Sequence, residues 1–487
     1  MSDVTKGPVV DDGAYSPEID AAGDEDQRVS EKKGTAADRH AMWRMGKVQE
    51  MRRNFRFVSI FGFSMILMAS WETMLGTTAI GLIDGGTAGL IWMYLICWIG
   101  FICVNTSMAE MGSMAPTSGG QYHWVSEFAP AKYQKLLSYM IGWLCVLGWQ
   151  TGAANTAFLA GTQIQGLIAL NKPDYAFEAW HGTLLVFAVS AFNVVFNTFL
   201  AKKLPLIEGI VLVVHIFGFF AVLVVLWVMG PKGDTLATFT TFNDYGVWGN
   251  KGLAMLSGLV AVVLPLLGAD AAVHMSEELR DASKTLPRSM IWTTLINGST
   301  GWMMLITFCC VIGSLDEALN SPTKQPYLYV FYNATKSVQG ASVMGALVIT
   351  MAIFCNLSIT ATSSRQLFAF ARDQGIPFSS TFAYVSQPQI RRPHQRHLSR
   401  LWRILSPLAH QSRLHSRSPQ HRLSLNRGHH RLLHRLNLLH RTKAHPRRAF
   451  TAIQLQAGAC RPPAQPYLDR LPRLHLRVLF LPNGPEA

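Results

Sequence analysis

The stretch "VVLPLLGADAAVHMSEE", residues 262–278, decides the fold. It begins as a run apolar enough for a membrane and then admits Pro265, Gly268, Asp270 and His274. Proline removes a backbone donor and glycine accepts the dihedrals of an unwound segment, so a helix here is interrupted. Irregular backbone at membrane depth survives only where protein buries it or where it lines a cavity. The segment reads as a membrane helix broken so that its ends and side chains can hold a solute.

The rest of the chain supports the membrane setting. Of its 487 residues 49% are hydrophobic and 15% charged, and the apolar ones come in blocks. Candidate spans lie at roughly 57–80, 88–112, 136–170, 182–201, 207–229, 252–276, 290–313 and 341–364, each near or above the ~20 residues that cross a bilayer core. A soluble protein would need several helices apolar on every face. The fold class is therefore an all-α polytopic membrane protein with about eight transmembrane helices. Residues 1–50 read as a disordered acidic cytoplasmic tail, 51–385 as the membrane domain and 386–487 as a basic Arg/His/Leu-rich tail. The amino-terminal segment lacks the apolar core of a signal peptide, so the first span is expected to direct insertion. Cys97, Cys103, Cys145, Cys309, Cys310 and Cys355 fall within spans and read as packing residues, not a disulfide framework.

Charge is divided unevenly. Residues 391–487 carry 18 Arg and 1 Lys against 2 acids, whereas the other 390 residues carry 24 basic and 27 acidic groups. The tail is an arginine-rich arm for nucleic acid or anionic lipid, a solvated basic tail, or the product of a shifted reading frame. The third reading suits its composition best: 64 of its 97 residues are Leu, Arg, His, Pro or Gln, which share codons beginning with C. No functional residue is drawn from it, and no nucleic-acid partner is expected. Among the span flanks, fourteen basic residues, from Arg44 to Arg372, fall on one side and five (Lys172, Lys232, Lys251, Lys324, Lys336) on the other. The positive-inside rule then puts the amino terminus in the cytoplasm.

Interior chemistry gathers in two spans. The first, "IFGFSMILMASWETMLGTTAIGLIDGG" (60–86), carries Trp71, Glu72 and Gly76; the sixth carries Pro265, Gly268, Asp270 and His274. A pair of interrupted spans, one opening each half of a transporter, points to a midplane site. Glu72 is the costliest group to leave unexplained, because a carboxylate inside a span is usually functional or paired. Trp71 offers a cation–π face or serves as an interface anchor. The blander readings are a simple kink for the proline and an interfacial position for Asp270. His274 and Glu278 have the i, i+4 spacing of a metal pair, without further ligands. Glu277, Glu278, Arg280 and Asp281 read as the solvated cytoplasmic end of the helix.

Three stretches carry a resemblance: "APTSGGQYHWVSEFAP" (115–130), "LGADAAVHMSEELRDASKTLPRSM" (267–290) and "SSRQLFAFARDQGIPFS" (363–379). Together, in this order, they resemble fungal permeases of the amino acid–polyamine–organocation superfamily, nearest the branch of choline, GABA and amino-acid permeases. The resemblance covers roughly residues 50–385. It implies a twelve-span, five-plus-five inverted repeat with spans one and six unwound around the substrate. It also implies secondary active uptake of a small amine or amino acid, with the proton as coupling ion and no other cofactor, at the plasma membrane. By the same resemblance Ser70–Thr77 and Leu267–Asp270 match the broken helices. The candidate substrate residues are thus Ser70, Trp71, Glu72, Gly76, Thr77, Leu267, Gly268 and Asp270. The loop at Ser118, Gly119 and Gly120 is implied to pack on the cytoplasmic side near the pathway. Spans nine to twelve of the family would fall where the basic tail stands, so the second repeat is expected to be incomplete, and a truncated, inactive permease is the alternative. A membrane-embedded enzyme is a further class. Against it, the sequence holds no H-E-x-x-H, nucleophile elbow, phosphate loop or cofactor fingerprint.

Overall fold

A computed structural model describes residues 34–383 except Val48, with the side chain of Lys202 also outside the description. The shifted-frame reading of the tail lies outside the described residues, as does most of the acidic amino-terminal segment. Among the described residues every regular element is a helix. Two isolated bridges join Phe55 to Leu279 and Asp84 to Asp244.

The amino-terminal helix α1 (Ala36–Arg44) corrects the expectation of a featureless tail through residue 50. Thr35 and Asp38 form a capping box at its start, satisfying two backbone donors that a helix leaves open. Asp38 then reaches across the fold. It pairs with Arg53 at 3.3 Å and accepts the amides of Asp281 and Ala282 at 3.0 Å each.

The first span is two helices, α2 (Phe57–Met68) and α3 (Ser70–Ile83), followed by α4 (Gly86–Met114). A short α5 (Gln121–Phe128) leads into α6 (Gln134–Asn171), α7 (Ala179–Phe199) and α8 (Leu204–Met229), with a short α9 (Thr235–Thr240) after them. The sixth span begins as α10 (Lys251–Val263), tightens to a 3₁₀ turn at Leu264–Leu266 and resumes only as the single turn α11 (Ala271–His274). The long helices α12 (Ala282–Cys310) and α15 (Val338–Arg372) follow, with α13 (Leu315–Leu319) and α14 (Pro326–Thr335) between them and α16 (Ser379–Phe382) after.

Five of these segments are long and apolar enough to cross a membrane: α2 with α3, α4, α7, α8 and α15. Helices α6 and α12 have the length, 38 and 29 residues, but carry polar groups such as Asn155, Gln163, Thr293 and Asn297. The chain is an integral, all-α membrane protein. Helix α8 illustrates the logic. Leu206, Ile210, Val213, Phe217, Phe220 and Val224 form an exposed apolar stripe at helical spacing, suited to lipid. Its opposite face buries Glu208, Val211, His215, Phe219, Val222 and Leu226.

The packing divides at the two breaks. One core joins Trp71, Met74, Leu75 and Leu82 of α3 to Ala261, Val262 and Leu266 before the second break, with Met304, Phe308 and Phe331. Another joins Phe55, Ile60, Phe63 and Leu67 before the first break to Ala271, Val273, Met275 and Leu279 after the second, with Trp124, Leu286 and Met290. Each core therefore takes one half of each interrupted span. The breaks lie between these two cores, which the long helices α4, α12 and α15 join.

Candidate functional site

The first break is at Ala69, which adopts a left-handed conformation, φ 39° and ψ 52°. A residue with a Cβ pays roughly 1–2 kcal/mol for that, so neighbouring groups must hold it. They do so by satisfying the loosened carbonyls. The Asn297 amide of α12 donates to Met65 O at 3.0 Å, and the Cys355 thiol of α15 donates to Leu67 O at 2.9 Å. The Ser70 hydroxyl donates to Pro265 O at 2.6 Å, which ties the first break to the second.

The second break runs through Leu267 and Gly268. Leu267 is extended and Gly268 has φ 110°, a region closed to side chains. A Cβ at Gly268 would also lie 2.4 Å from Leu67 Cδ2 and push that side chain aside. Asp270 follows, half-buried, and accepts the Gln121 amide at 2.5 Å through Oδ2.

A cavity of about 500 Å³ opens between the breaks. That is a volume suited to small ligands. Its wall includes Leu67, Met68 and Thr73 of the first span, Leu264, Leu267, Gly268 and Asp270 of the sixth, and Gln121 of α5. Helix α6 adds Cys145, Trp149, Asn155 and Thr156, and α15 adds Cys355 and Ile359. Asp270 is the one charged residue in this lining, which holds no Lys, Arg or His. Trp149 also fixes the adjacent His274: its indole N–H donates to Nε2 at 3.0 Å, while Nδ1 lies 2.9 Å from Ser118 O. An indole only donates and a carbonyl only accepts, so His274 is the neutral Nδ1–H tautomer.

Of the sequence-derived candidates, the structure brings Leu267, Gly268 and Asp270 to the cavity wall. It does not bring the others there. Ser70 is buried as the clasp between the breaks, and Thr77 clasps α3 to α10 by donating to Ala261 O at 2.9 Å. Gly76 lies in regular helix, seven residues past the break, where a Cβ would meet the Gln163 amide of α6. Trp71 is wholly buried in the core against Phe219 and His215. Glu72 turns toward α8, with Oε1 2.7 Å from His215 Nδ1.

At the acidic end of the sixth span Asp281 is exposed and Arg280 half-buried, as the sequence reading had it, but Glu277 and Glu278 are buried, contrary to it. Glu277 is fully buried and holds Arg372 through two hydrogen bonds of 2.8 Å, with a third bond from the Ser118 amide at 3.1 Å. Glu278 pairs with Arg365 at 2.8 Å. The arginines at the end of α15 reach back over the half-helix and remove its carboxylates from water. His274 and Glu278 therefore have separate partners, and among the described residues no group of three acids, histidines or cysteines could hold a metal. Nearby, Tyr122 donates to Asp373 at 3.1 Å. Burial first, and then the Asp373 charge, holds that phenol well above its ordinary value, so it stays a donor.

Sequence reasoning missed Gln121, Trp149, Asn155, Thr156 and His215. The polar pair Asn155–Thr156 inside a 38-residue helix was a usable signal. For the others the local sequence holds none.

Comparison with known proteins follows from this geometry. Residues 55–394 match the family described as Amino acid permease. A putative amino acid/polyamine transporter of Macrophomina phaseolina (strain MS6) is 33% identical over 327 residues, 67% of this chain and 72% of that protein. The choline transporter of Saccharomyces cerevisiae is 28% identical over 338 residues, covering 69% of this chain and 60% of its own length. The GABA-specific permease of the same yeast is 26% identical over 351 residues, 70% and 61% of the respective chains. The chain thus spans about three fifths of either yeast relative. With two broken membrane helices around one cavity, and a family match over most of its described length, the chain belongs to the amino acid permease family, a family of transporters and not of enzymes.

Proposed function

We propose that the chain is a secondary active transporter that takes a small amine or amino acid through the cavity between the two breaks, coupled to protons. One observation carries the reading: a single carboxylate, Asp270, faces a small, largely apolar cavity that offers it no basic partner. An ammonium group supplies the missing charge, and the Trp149 ring beside it suits a cation. The names of the choline, GABA and amino acid/polyamine relatives support the same substrate class. An amino acid is the second reading, supported by the names of the GABA and amino acid/polyamine relatives.

The purified full chain in liposomes is expected to take up radiolabelled choline, GABA or one of a panel of amino acids saturably, with unlabelled substrate competing. Absence of saturable uptake and binding across that panel would reject the reading. We further propose that the protein sits in the plasma membrane with its amino terminus in the cytoplasm, from the asymmetry of basic flanks. Accessibility tags at residue 30 and in the loop at 320–325 are expected on opposite sides, the first inside. Finding both on one side would overturn the orientation.

A further inference from the structure

We propose that Glu72 and His215 form a proton-binding site, separate from the solute cavity and linked to it through the break at Ala69. Neither residue lines the cavity wall. They meet each other instead, Nδ1 to Oε1 at 2.7 Å, with side chains 2% and 1% exposed for His215 and Glu72. Such a pair is most easily read as a strut between α3 and α8. Two observations favour more than a strut.

The first is charge balance. Among the described residues His215 is the only cationic group in ion-pair contact with Glu72. With one shared proton the pair is net neutral, whichever atom carries it. Without that proton a net negative charge is left inside the protein, and a second proton leaves a net positive one. Both are costly where water is absent. The closed pair therefore keeps one proton, and exchange waits for water to reach it. The second observation is an orphan: Glu72 Oε2 is buried and, among the described residues, has no hydrogen-bond partner. An unsatisfied buried oxygen calls for a functional occupant such as a proton or water.

Position supplies the link to transport. Glu72 is the third residue after the hinge at Ala69, and the next residue, Thr73, lines the cavity. A tilt of α3 about Ala69 that alters the cavity also moves Glu72 against His215. Helix α8 packs on α2 as well and meets α3 through Trp71 with His215 and Phe219, so a tilt of α3 changes the spacing of Glu72 and His215. The titratable groups around it are few. Helix α8 adds Glu208, which accepts the Ser358 hydroxyl at 2.7 Å, and α15 adds Cys355, within electrostatic reach of both carboxylates. Helix α4 adds the Tyr94 phenol near Ser70, α14 adds the buried Tyr327, and α12 brings the neutral Asn297.

The consequence for transport rests on the proposed function; the proton site itself is tested without it. Infrared difference spectra of the purified full chain, recorded through a pH titration, are expected to show a protonated carboxyl band. Recorded in a Glu208→Gln background, which removes the carboxyl of that buried neighbour, the band is absent in Glu72→Gln and shifted in its midpoint in His215→Asn. In liposomes with a trapped pH dye, amine uptake by the native protein is expected to acidify the lumen. Both variants, monodisperse on size exclusion, lose acidification and uphill accumulation but still exchange labelled for unlabelled amine. A purely structural pair would leave the ratio of protons to substrate unchanged. That ratio at the native value in both variants, or a carboxyl band indifferent to Glu72→Gln, overturns the proposal. If the native protein carries no amine at all, the transport reading fails while the infrared result still decides the proton site.

Discussion

Asp270→Asn is expected to lower uptake of a cationic amine about thirtyfold with surface expression unchanged. The side chain faces the cavity, and among the described residues Oδ1 has no hydrogen-bond donor, while Oδ2 accepts from Gln121. Removing one member of a buried charge pair typically costs about 2–5 kcal/mol. Asp270 is only half-buried, so the lower end applies, and about 2 kcal/mol is roughly thirtyfold. The asparagine retains the shape and can still bond Gln121, so the loss isolates charge. Uptake measured over a range of concentrations is expected to show the effect in apparent affinity. Asp174→Asn, on the exposed turn after α6, provides the neutral comparison. Uptake at the native level in Asp270→Asn would mean that the amine is held by carbonyls and aromatic faces alone.

The largest stability effect is expected at Arg372. Its guanidinium is the sole cation in ion-pair contact with Glu277 among the described residues, and Glu277 has no solvent exposure. Deleting one partner of such a pair typically destabilises by about 3–5 kcal/mol, because the remaining charge is left uncompensated. Arg372→Ala is therefore expected to lower the thermal unfolding midpoint in detergent strongly. Adding Glu277→Gln to it is expected to restore part of the loss by removing the orphaned charge. Lys47→Ala breaks a more exposed pair with Asp373 and is expected to have little effect, as exposed pairs contribute about 0–1 kcal/mol. A midpoint for Arg372→Ala equal to that of Lys47→Ala would show that Glu277 reaches water or another donor in solution.

The same network explains why the amino-terminal segment is folded at all. Gln49 donates to Glu277 O at 2.8 Å, Arg53 to Ser276 O at 3.1 Å, and Phe55 pairs with the backbone of Glu278 and Arg280. Gln49, read as tail, and Arg53 and Phe55, at the start of the membrane domain, thus clasp the half-helix that follows the second break. Glu278, read from the sequence as solvated, is instead held by Arg365.

Local information was enough for several features. The apolar blocks placed the five helices long and apolar enough to cross a membrane, because a lipid-facing span must be largely apolar. The second break was legible because Pro265 and Gly268 carry their conformational preferences within themselves. Glu72 was legible as a residue in need of explanation because an ion inside a span is costly anywhere.

The first break was legible only through the resemblance, which put it at Ser70–Thr77; the residues themselves do not mark Ala69. Alanine favours helix, so nothing near Ala69 announces a left-handed residue, and Gly76 drew attention seven residues too late. Contacts from Asn297, Cys355 and Pro265, all about 200 or more residues away in sequence, decide it. The partners of the buried acids were hidden in the same way: His215 lies 143 positions from Glu72, and Arg372 lies 95 from Glu277. By itself the sequence determined which segments enter the membrane and which charges there need an explanation, since those follow from the solvent and the backbone. Only the tertiary structure decided which carboxylate faces the cavity and which ones find partners, because a buried charge is settled by whichever distant group the packing brings within a few ångströms.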